Sequence, residues 1–485
     1  MILIDQWSYT DYEYVNDEPS IVRFEEAEMN DHAVVLGAGI AGLIAASVLA
    51  EQYASVTVVE RDPLPNNPID RRGVPQGRHL HSLLSRGSQI MEELHPGFLA
   101  DLADAGALVL DDADMHRIYS RIGPYTFNRS GPAADPAALV TYQASRPFLE
   151  FHLRRRVAAL PNVTFLEGRD IGELIATQPH RVTGITVSTR DTETPETLNA
   201  DLVVDATGRA TRTPHLLERL GFPRPPERTF TADGIYHSQQ IAIPDQDSFL
   251  ERMILVLPEG KAQRGGLVAC ENSTWTLTIA GRAGDLAHAP TDFADMLALA
   301  QDFIPPHIQP ALHGAQPLTK VMTYRYPGGV WRRYDQMPRC PEGLLVLGDA
   351  LCSLDPINGQ GMTMASLHGN ILRTQLRRAN QVDPQAFYTA VAAITKPVWT
   401  SNADQPSGRA DGAPAPVSKR AIGWARRKIL ESAADDMVIT ERLMRVANFI
   451  DPPKRLLEPA FLGHVAAHHI RQGLTMHRPA RTTNH

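Results

Sequence analysis

The chain has 485 residues, of which 43% are hydrophobic and 21% charged, and a formal net charge of −8. That length exceeds one ordinary core and sets two or three structural units as the starting expectation, and the composition is that of a globular chain rather than an extensively disordered one. The acidic balance argues against a nucleic-acid binder, which needs a basic face to release counterions.

In chain order, residues 1–31 form an acidic leader dotted with aromatics (Trp7, Tyr9, Tyr12, Tyr14; Glu25, Glu26, Glu28) that fits either a flexible extension or a strap on the body. Met1 to Ile4 is apolar, but Asp5 follows at once, unlike a secretory signal. From Asp31 the pattern becomes strand (Ala33 to Leu36), glycine turn (Gly37 to Gly42), helix (Leu43 to Glu51) and strand (Val56 to Val59), a βαβ opening. Between about 226 and 340, short runs such as Met253 to Leu257, Gly266 to Ala269 and Thr274 to Ala280 predict a mainly antiparallel sheet. A buried strand at Leu344 to Leu347 and a helix follow, and the tail mixes helical patterns with a Gly/Pro/Ser/Ala-rich loop from Ser401 to Val417. No run of about 18 apolar residues marks a membrane span.

The first chemical motif is Gly37-Ala38-Gly39-Ile40-Ala41-Gly42. A lone G-x-G-x-x-G says little, but here a strand enters it, a helix leaves it and Glu60 ends the next strand. Gly37 allows the tight turn, Gly39 lets backbone approach a pyrophosphate, and Gly42 allows helix to pack closely on strand. The helix N-terminus adds N–H donors and the positive dipole end. Glu60 suits the ribose hydroxyls of an adenosine half, and Arg61 next to it is also expected to bind the cofactor. This motif alone does not separate FAD from NAD.

A second motif does. Gly343 to Ala350 delivers Asp349 at the end of an apolar strand, and Pro356 and the turn Gly359-Gln360-Gly361-Met362 then open another helix. Asp349 is placed to accept from ribityl hydroxyls, and the turn offers N–H groups to an electron-rich ring edge, stabilising an anionic reduced flavin. NAD has no ribityl chain, so the two half-sites together point to FAD.

With these residues in view, the chain resembles the flavin monooxygenases related to para-hydroxybenzoate hydroxylase, with G-x-G-x-x-G early, D-x-x-G in the middle (Asp205-Ala-Thr-Gly208) and G-D late. Three further segments resemble bacterial polyether epoxidases and related antibiotic-pathway oxygenases: Arg71 to His81, Val203 to Arg209 and Pro341 to Ala350. The likeness runs from about Asp31 to Leu376 and is looser in the tail. It implies an α/β fold: a discontinuous Rossmann-like FAD-binding domain (32–225 and 340–378), an inserted mainly antiparallel β-sheet substrate domain (226–339) and a helical C-terminal region (379–485) behind the N-terminal extension (1–31). It also implies that Arg71 contacts the FAD pyrophosphate or flavin region and that Arg146 heads a helix reaching the cofactor, where a guanidinium binds phosphate by paired hydrogen bonds. A surface salt bridge is the plain alternative for each arginine.

The implied activity is that of an FAD-dependent monooxygenase, a cytoplasmic oxidoreductase of secondary metabolism. It would epoxidise or hydroxylate a lipophilic substrate with one atom of O2 through a flavin C4a-hydroperoxide held away from water. A flavin-dependent reductase or a redox-neutral cyclase on the same fold is the alternative. No catalytic side chain is assigned, and Tyr236, His237, Trp275 and Tyr324 are candidates for the substrate face. His79 and His81 alternate as on a strand face, but no third ligand makes a metal site, so flavin contact or a satisfied core position is expected of them. Cys270, Cys340 and Cys352 are odd in number with no C-x-x-C pair, as in a reduced protein without disulfides. No second G-x-G-x-x-G is present for a separate nicotinamide domain, so electrons would come transiently from NAD(P)H or from a partner flavin reductase. Halogenation is disfavoured, because only Trp275-Thr-Leu-Thr-Ile loosely matches the flavin-halogenase signature Trp-x-Trp-x-Ile-Pro.

Overall fold

The computed structural model describes residues 30–178, 180–189, 195–258, 263–284, 288–403 and 417–476. The acidic leader up to residue 29 and most of the Ser401 to Val417 loop therefore lie outside the described residues.

Four of the strands with apolar cores, and Val163–Leu166, assemble into one five-stranded sheet. Its order is Leu344–Val346, Leu202–Asp205, Asn30–Leu36, Tyr53–Val59, Val163–Leu166, and every neighbouring pair is parallel. Such a sheet needs both faces covered, which is why Ala33 to Leu36 and Leu202 to Asp205 are buried without alternation. The helices Ile40–Ala50 and Gly361–Arg378, one from each glycine turn, pack on each other over this sheet. Ile40–Ala50 has no polar face to speak of, with Leu43 to Leu49 buried throughout, as befits a helix enclosed by sheet and neighbours. The strands Asn30–Leu36 and Tyr53–Val59 begin before their apolar runs because main-chain pairing continues where the side chains turn polar.

The second large sheet is built on Glu227–Ala242, flanked by Thr274–Arg282 on one side and Met322–Arg332 on the other, all antiparallel. Arg264–Ala269 and Met253–Leu257 extend it. Beyond them the chain supplies three strands from outside the expected insertion, among them Tyr125–Thr126, antiparallel to Ile118–Ile122. Ile118–Ile122 runs parallel to Met253–Leu257, and Cys352–Ser353 pairs with Met322–Arg332 at the opposite edge. One face of this sheet packs Ile241, Leu267, Trp275, Leu277 and Ile279 against the helix Phe293–Ala300 and Phe303, and the other face is turned to a cavity. The tail is helical at Pro384–Ala403, Val417–Ser432, Met437–Ala447 and Pro459–Met476. The last three gather around Ile122 and Phe127. No helix among the described residues is long and apolar enough to cross a membrane.

Candidate functional site

A cavity of about 640 Å³ runs between the two sheets, and residues from both glycine turns line it. At one end Gly37 sits at φ +97, where an added Cβ would lie 2.8 Å from the Ala206 carbonyl oxygen, so only glycine turns the chain here without strain. Gly42 serves packing. A Cβ on it would be 1.8 Å from the Gly37 carbonyl oxygen, and the residue lies off the cavity. Gly37, Gly39, Ile40 and Ala41 line the space; Ala38 faces inward instead, giving its N–H to Glu60 Oε2 at 2.9 Å.

Beside this turn lies a buried charge network. Arg71, with 4% of its side chain exposed, reaches Glu60 Oε2 through Nη1 at 3.1 Å and Glu150 Oε1 through Nη2 at 2.7 Å. Its Nε also donates to Glu150 Oε1 at 2.7 Å. Burial alone would weaken the charge on Arg71, but Glu150 and Glu60 outweigh it and raise its pKa. Arg146 heads the helix Arg146–Ala158 behind the cap Ser145, and its Nη2 contacts Glu150 Oε2 at 3.2 Å. Its Nε is buried with no hydrogen-bond partner among the described residues. Glu150, which sequence reasoning passed over, thus ties together two arginines it had singled out. The available signal was the i,i+4 spacing from Arg146 to Glu150 on one helix. Arg61 also lines the cavity, with 54% of its side chain exposed.

At the other end stand Asp349, Pro356, Gly359, Gly361 and Met362. Asp349 follows Leu344–Val346 in a single 3-10 turn, and its carboxylate forms no hydrogen bond among the described residues. Burial lifts its pKa above the ordinary carboxylate range, against the pull of Arg146 and Arg209. The turn Pro356–Asn358 is capped by Asp355, whose carboxylate accepts the Ile357 N–H at 3.1 Å. By contrast, Asp205 of the middle motif is consumed locally. It accepts from the Thr207 N–H at 2.8 Å and from the hydroxyls of Thr207, Thr211 and Thr213.

The cavity wall on the second sheet carries Ile118, Met253, Leu255, Thr278, Ala280, Tyr236 and Tyr324, with Leu80, Leu84 and Met444 facing them. Of the four candidates for this wall, Tyr236 and Tyr324 are on it. Trp275 and His237 are not. Strand alternation decides the matter. Trp275, fully buried, points with Leu277 and Ile279 to the helix-backed core and donates to Gln246, and His237 shares the odd-numbered face and contacts Thr323. His79 and His81 line the cavity from a loop after the turn Pro75–Arg78, not from a strand. His79 Nδ1 lies 2.8 Å from Ser238 Oγ. Burial above all lowers its pKa to about 4 and that of His81 to about 3, so both are neutral at pH 7. Among the described residues no His/Cys/Asp/Glu group could hold a metal ion, and the three cysteines are free thiols.

No family model matches the chain. It is 37% identical over 462 residues to Protein Rv3254 of Mycobacterium tuberculosis, covering 93% of this chain and 96% of that protein. In structure it is similar to a flavoprotein/dehydrogenase from Cytophaga hutchinsonii (TM-score 0.63, 16% identity, 91% of this chain and 100% of that one). It is also similar to PqsL, a probable FAD-dependent monooxygenase from Pseudomonas aeruginosa (TM-score 0.57, 16% identity, 87% and 100%). A mixed α/β chain with this sheet arrangement and this relative belongs to the family of Protein Rv3254, on the fold of FAD-binding monooxygenases.

Proposed function

We propose that the chain is an FAD-dependent monooxygenase that places one oxygen atom of O2 into a lipophilic small molecule, by epoxidation or hydroxylation. The observation that carries this reading is the single cavity shared by the early glycine turn, the late turn and an apolar sheet wall. The residues present suit FAD. Gly39, Arg146 and Asp349 all line the same space, and among the described residues the Nε of Arg146 and the carboxylate of Asp349 have no hydrogen-bond partner.

In this reading the Gly37 to Gly42 turn, Arg146 and Arg71, which lines the cavity while held by Glu150 and Glu60, hold the pyrophosphate. Glu60 and Arg61 serve the adenosine ribose, Asp349 the ribityl chain, and Pro356 to Met362 the ring edge. Bound FAD supplies two-electron chemistry and the activation of O2. The protein's part is to orient the substrate against the Ile118, Met253 and Leu255 wall and to keep water out. His79 and His81, neutral at pH 7, add no charge to that wall. The cofactor lobe is 32–225 with 340–378, and 226–339 forms the substrate lobe, completed by Ile118–Ile122. Reducing equivalents come from NAD(P)H or a partner flavin reductase, and the likeness of Arg71 to His81 to polyether epoxidases favours a polyketide-like alkene.

The test is FAD titration of purified protein, then dithionite reduction and stopped-flow mixing with O2. An absorbing species between the reduced and oxidised spectra supports the proposal. Protein that takes up no FAD refutes it, and reoxidation in one phase, with or without added alkene, refutes the oxygen-transfer part.

A further inference from the structure

Asn402 lies in the last turn of the helix Pro384–Ala403, is 2% exposed, and does not line the cavity. Its side-chain oxygen accepts from the Asp355 N–H at 3.1 Å and from Asn358 Nδ2 at 2.8 Å. Its side-chain nitrogen donates to Gln360 Oε1 at 3.0 Å and to the Val398 carbonyl at 2.9 Å. Every donor and acceptor of the amide is therefore used, and because the Asp355 N–H can only donate, the oxygen must face it. Those partners are the residue that enters the late turn, a residue inside it, and Gln360, which caps the helix Gly361–Arg378.

The same turn is held from the opposite side. Tyr236, on the cavity wall, donates its hydroxyl to the Asp355 carboxylate that caps the turn. Between these two anchors the turn Pro356–Gly361 has its path set by side chains, while the first N–H groups of the following helix have no intrahelical acceptors and are free for a ligand. A buried amide with four satisfied bonds is expensive to alter, because each stranded partner keeps its desolvation cost.

We propose that Asn402 is a positioning residue: it clamps the two ends of the Pro356–Gly361 turn and so sets the aim of that turn's N–H groups at the flavin. This rests on the reading that the turn meets the ring edge of FAD. The clamp reaches the cofactor through Asp355, Asn358 and Gln360, without touching it.

Two variants and a control test the clamp. Asn402→Asp keeps both acceptor contacts, loses the donors, and sets a carboxylate against Gln360 Oε1; Asn402→Ala removes all four bonds. Thr400→Ala, whose hydroxyl bonds only the Lys396 carbonyl among the described residues, is the control on the same helix. Amide hydrogen exchange across Asp355 to Gly361 is measured in the apoprotein, and FAD affinity and the midpoint potential of bound flavin in the loaded protein. Exchange in the turn is expected to rise roughly tenfold and FAD affinity to fall roughly tenfold in both Asn402 variants. Asn402→Asp should also shift the potential to more negative values, with Thr400→Ala unchanged throughout. Wild-type exchange in the turn, or a wild-type affinity and potential in flavin-loaded Asn402→Asp, overturns the clamp alone. A wild-type protein that takes up no FAD overturns the cofactor reading, and the clamp with it, before any variant is compared.

Discussion

Glu150→Gln is the sharpest probe of the charge network beside the early turn. Glu150 is 4% exposed and receives Arg71 Nε and Nη2, each at 2.7 Å, and Arg146 Nη2 at 3.2 Å. Neutralising one partner of a buried ion pair costs about 3–5 kcal/mol, because it strands the opposite charge. Arg71 keeps Glu60 at 3.1 Å, so the loss should fall at the lower end, about 3 kcal/mol. The assay is urea unfolding of the apoprotein at neutral pH, followed by far-UV circular dichroism, at low salt and again near 1 M salt. At the higher salt the screening length is about 3 Å and exposed pairs are silenced, whereas this network should not respond. A loss below about 1 kcal/mol, the range of exposed pairs, or one that vanishes in salt, would show that these guanidiniums are solvated and refute the network as drawn.

Gly37→Ala forces a Cβ into a backbone at φ +97 and 2.8 Å from the Ala206 carbonyl oxygen. It should cost about 1–3 kcal/mol and abolish FAD uptake, and wild-type binding in a titration would contradict this. Asp349→Asn separates stability from ligation. The raised pKa of Asp349 means the fold favours the protonated acid and loses stability as pH rises through that value. The uncharged variant should thus melt higher than wild type at pH 7 in the apo form, with the gain fading in acid, yet bind FAD more weakly; an apo variant that melts lower at pH 7 would contradict it. His79 runs the other way. Its pKa is lowered from 6.5 to about 4, so its contribution is present above pH 6.5 and drains away as the pH falls towards 4. His79→Gln should flatten the thermal-melting profile across that window, and an unchanged slope would mean the histidine is already solvated.

The parallel sheet was legible because strands buried on both faces leave unbroken apolar runs, as at Ala33 to Leu36 and Leu344 to Val346. The antiparallel strands Met253–Leu257 and Thr274–Arg282 were legible from turn spacing. Ile118–Ile122 was not read, since the short run Ile-Tyr-Ser-Arg-Ile carries no clear alternation and its partner Met253–Leu257 lies far along the chain. Within the wall, residue type misled where parity would have served: Trp275 and Tyr236 are both aromatic, yet the pleat sends one to the core and the other to the cavity. Alternating His79 and His81 suggested a strand, but Pro75 and Gly77 beside them make a 3-10 turn. Glu150 and Asn402 were invisible for a common reason. A carboxylate or an amide on a helix reads as a solvated side chain until the tertiary partners are known.

The strand Ile118–Ile122 also bears on how the molecule comes into being. A nascent chain that has released it from the ribosome offers it only the short partner Tyr125–Thr126, and its other edge must wait until Met253–Leu257 has been synthesised. The edge Leu344–Val346 likewise reaches Leu202–Asp205 only late in translation. Pairings between such remote segments are slow to form and leave sticky intermediates behind. Ile118 and, just beyond Leu344–Val346, Asp349 both line the cleft between the sheets, so its wall cannot close until both of these remote pairings have formed.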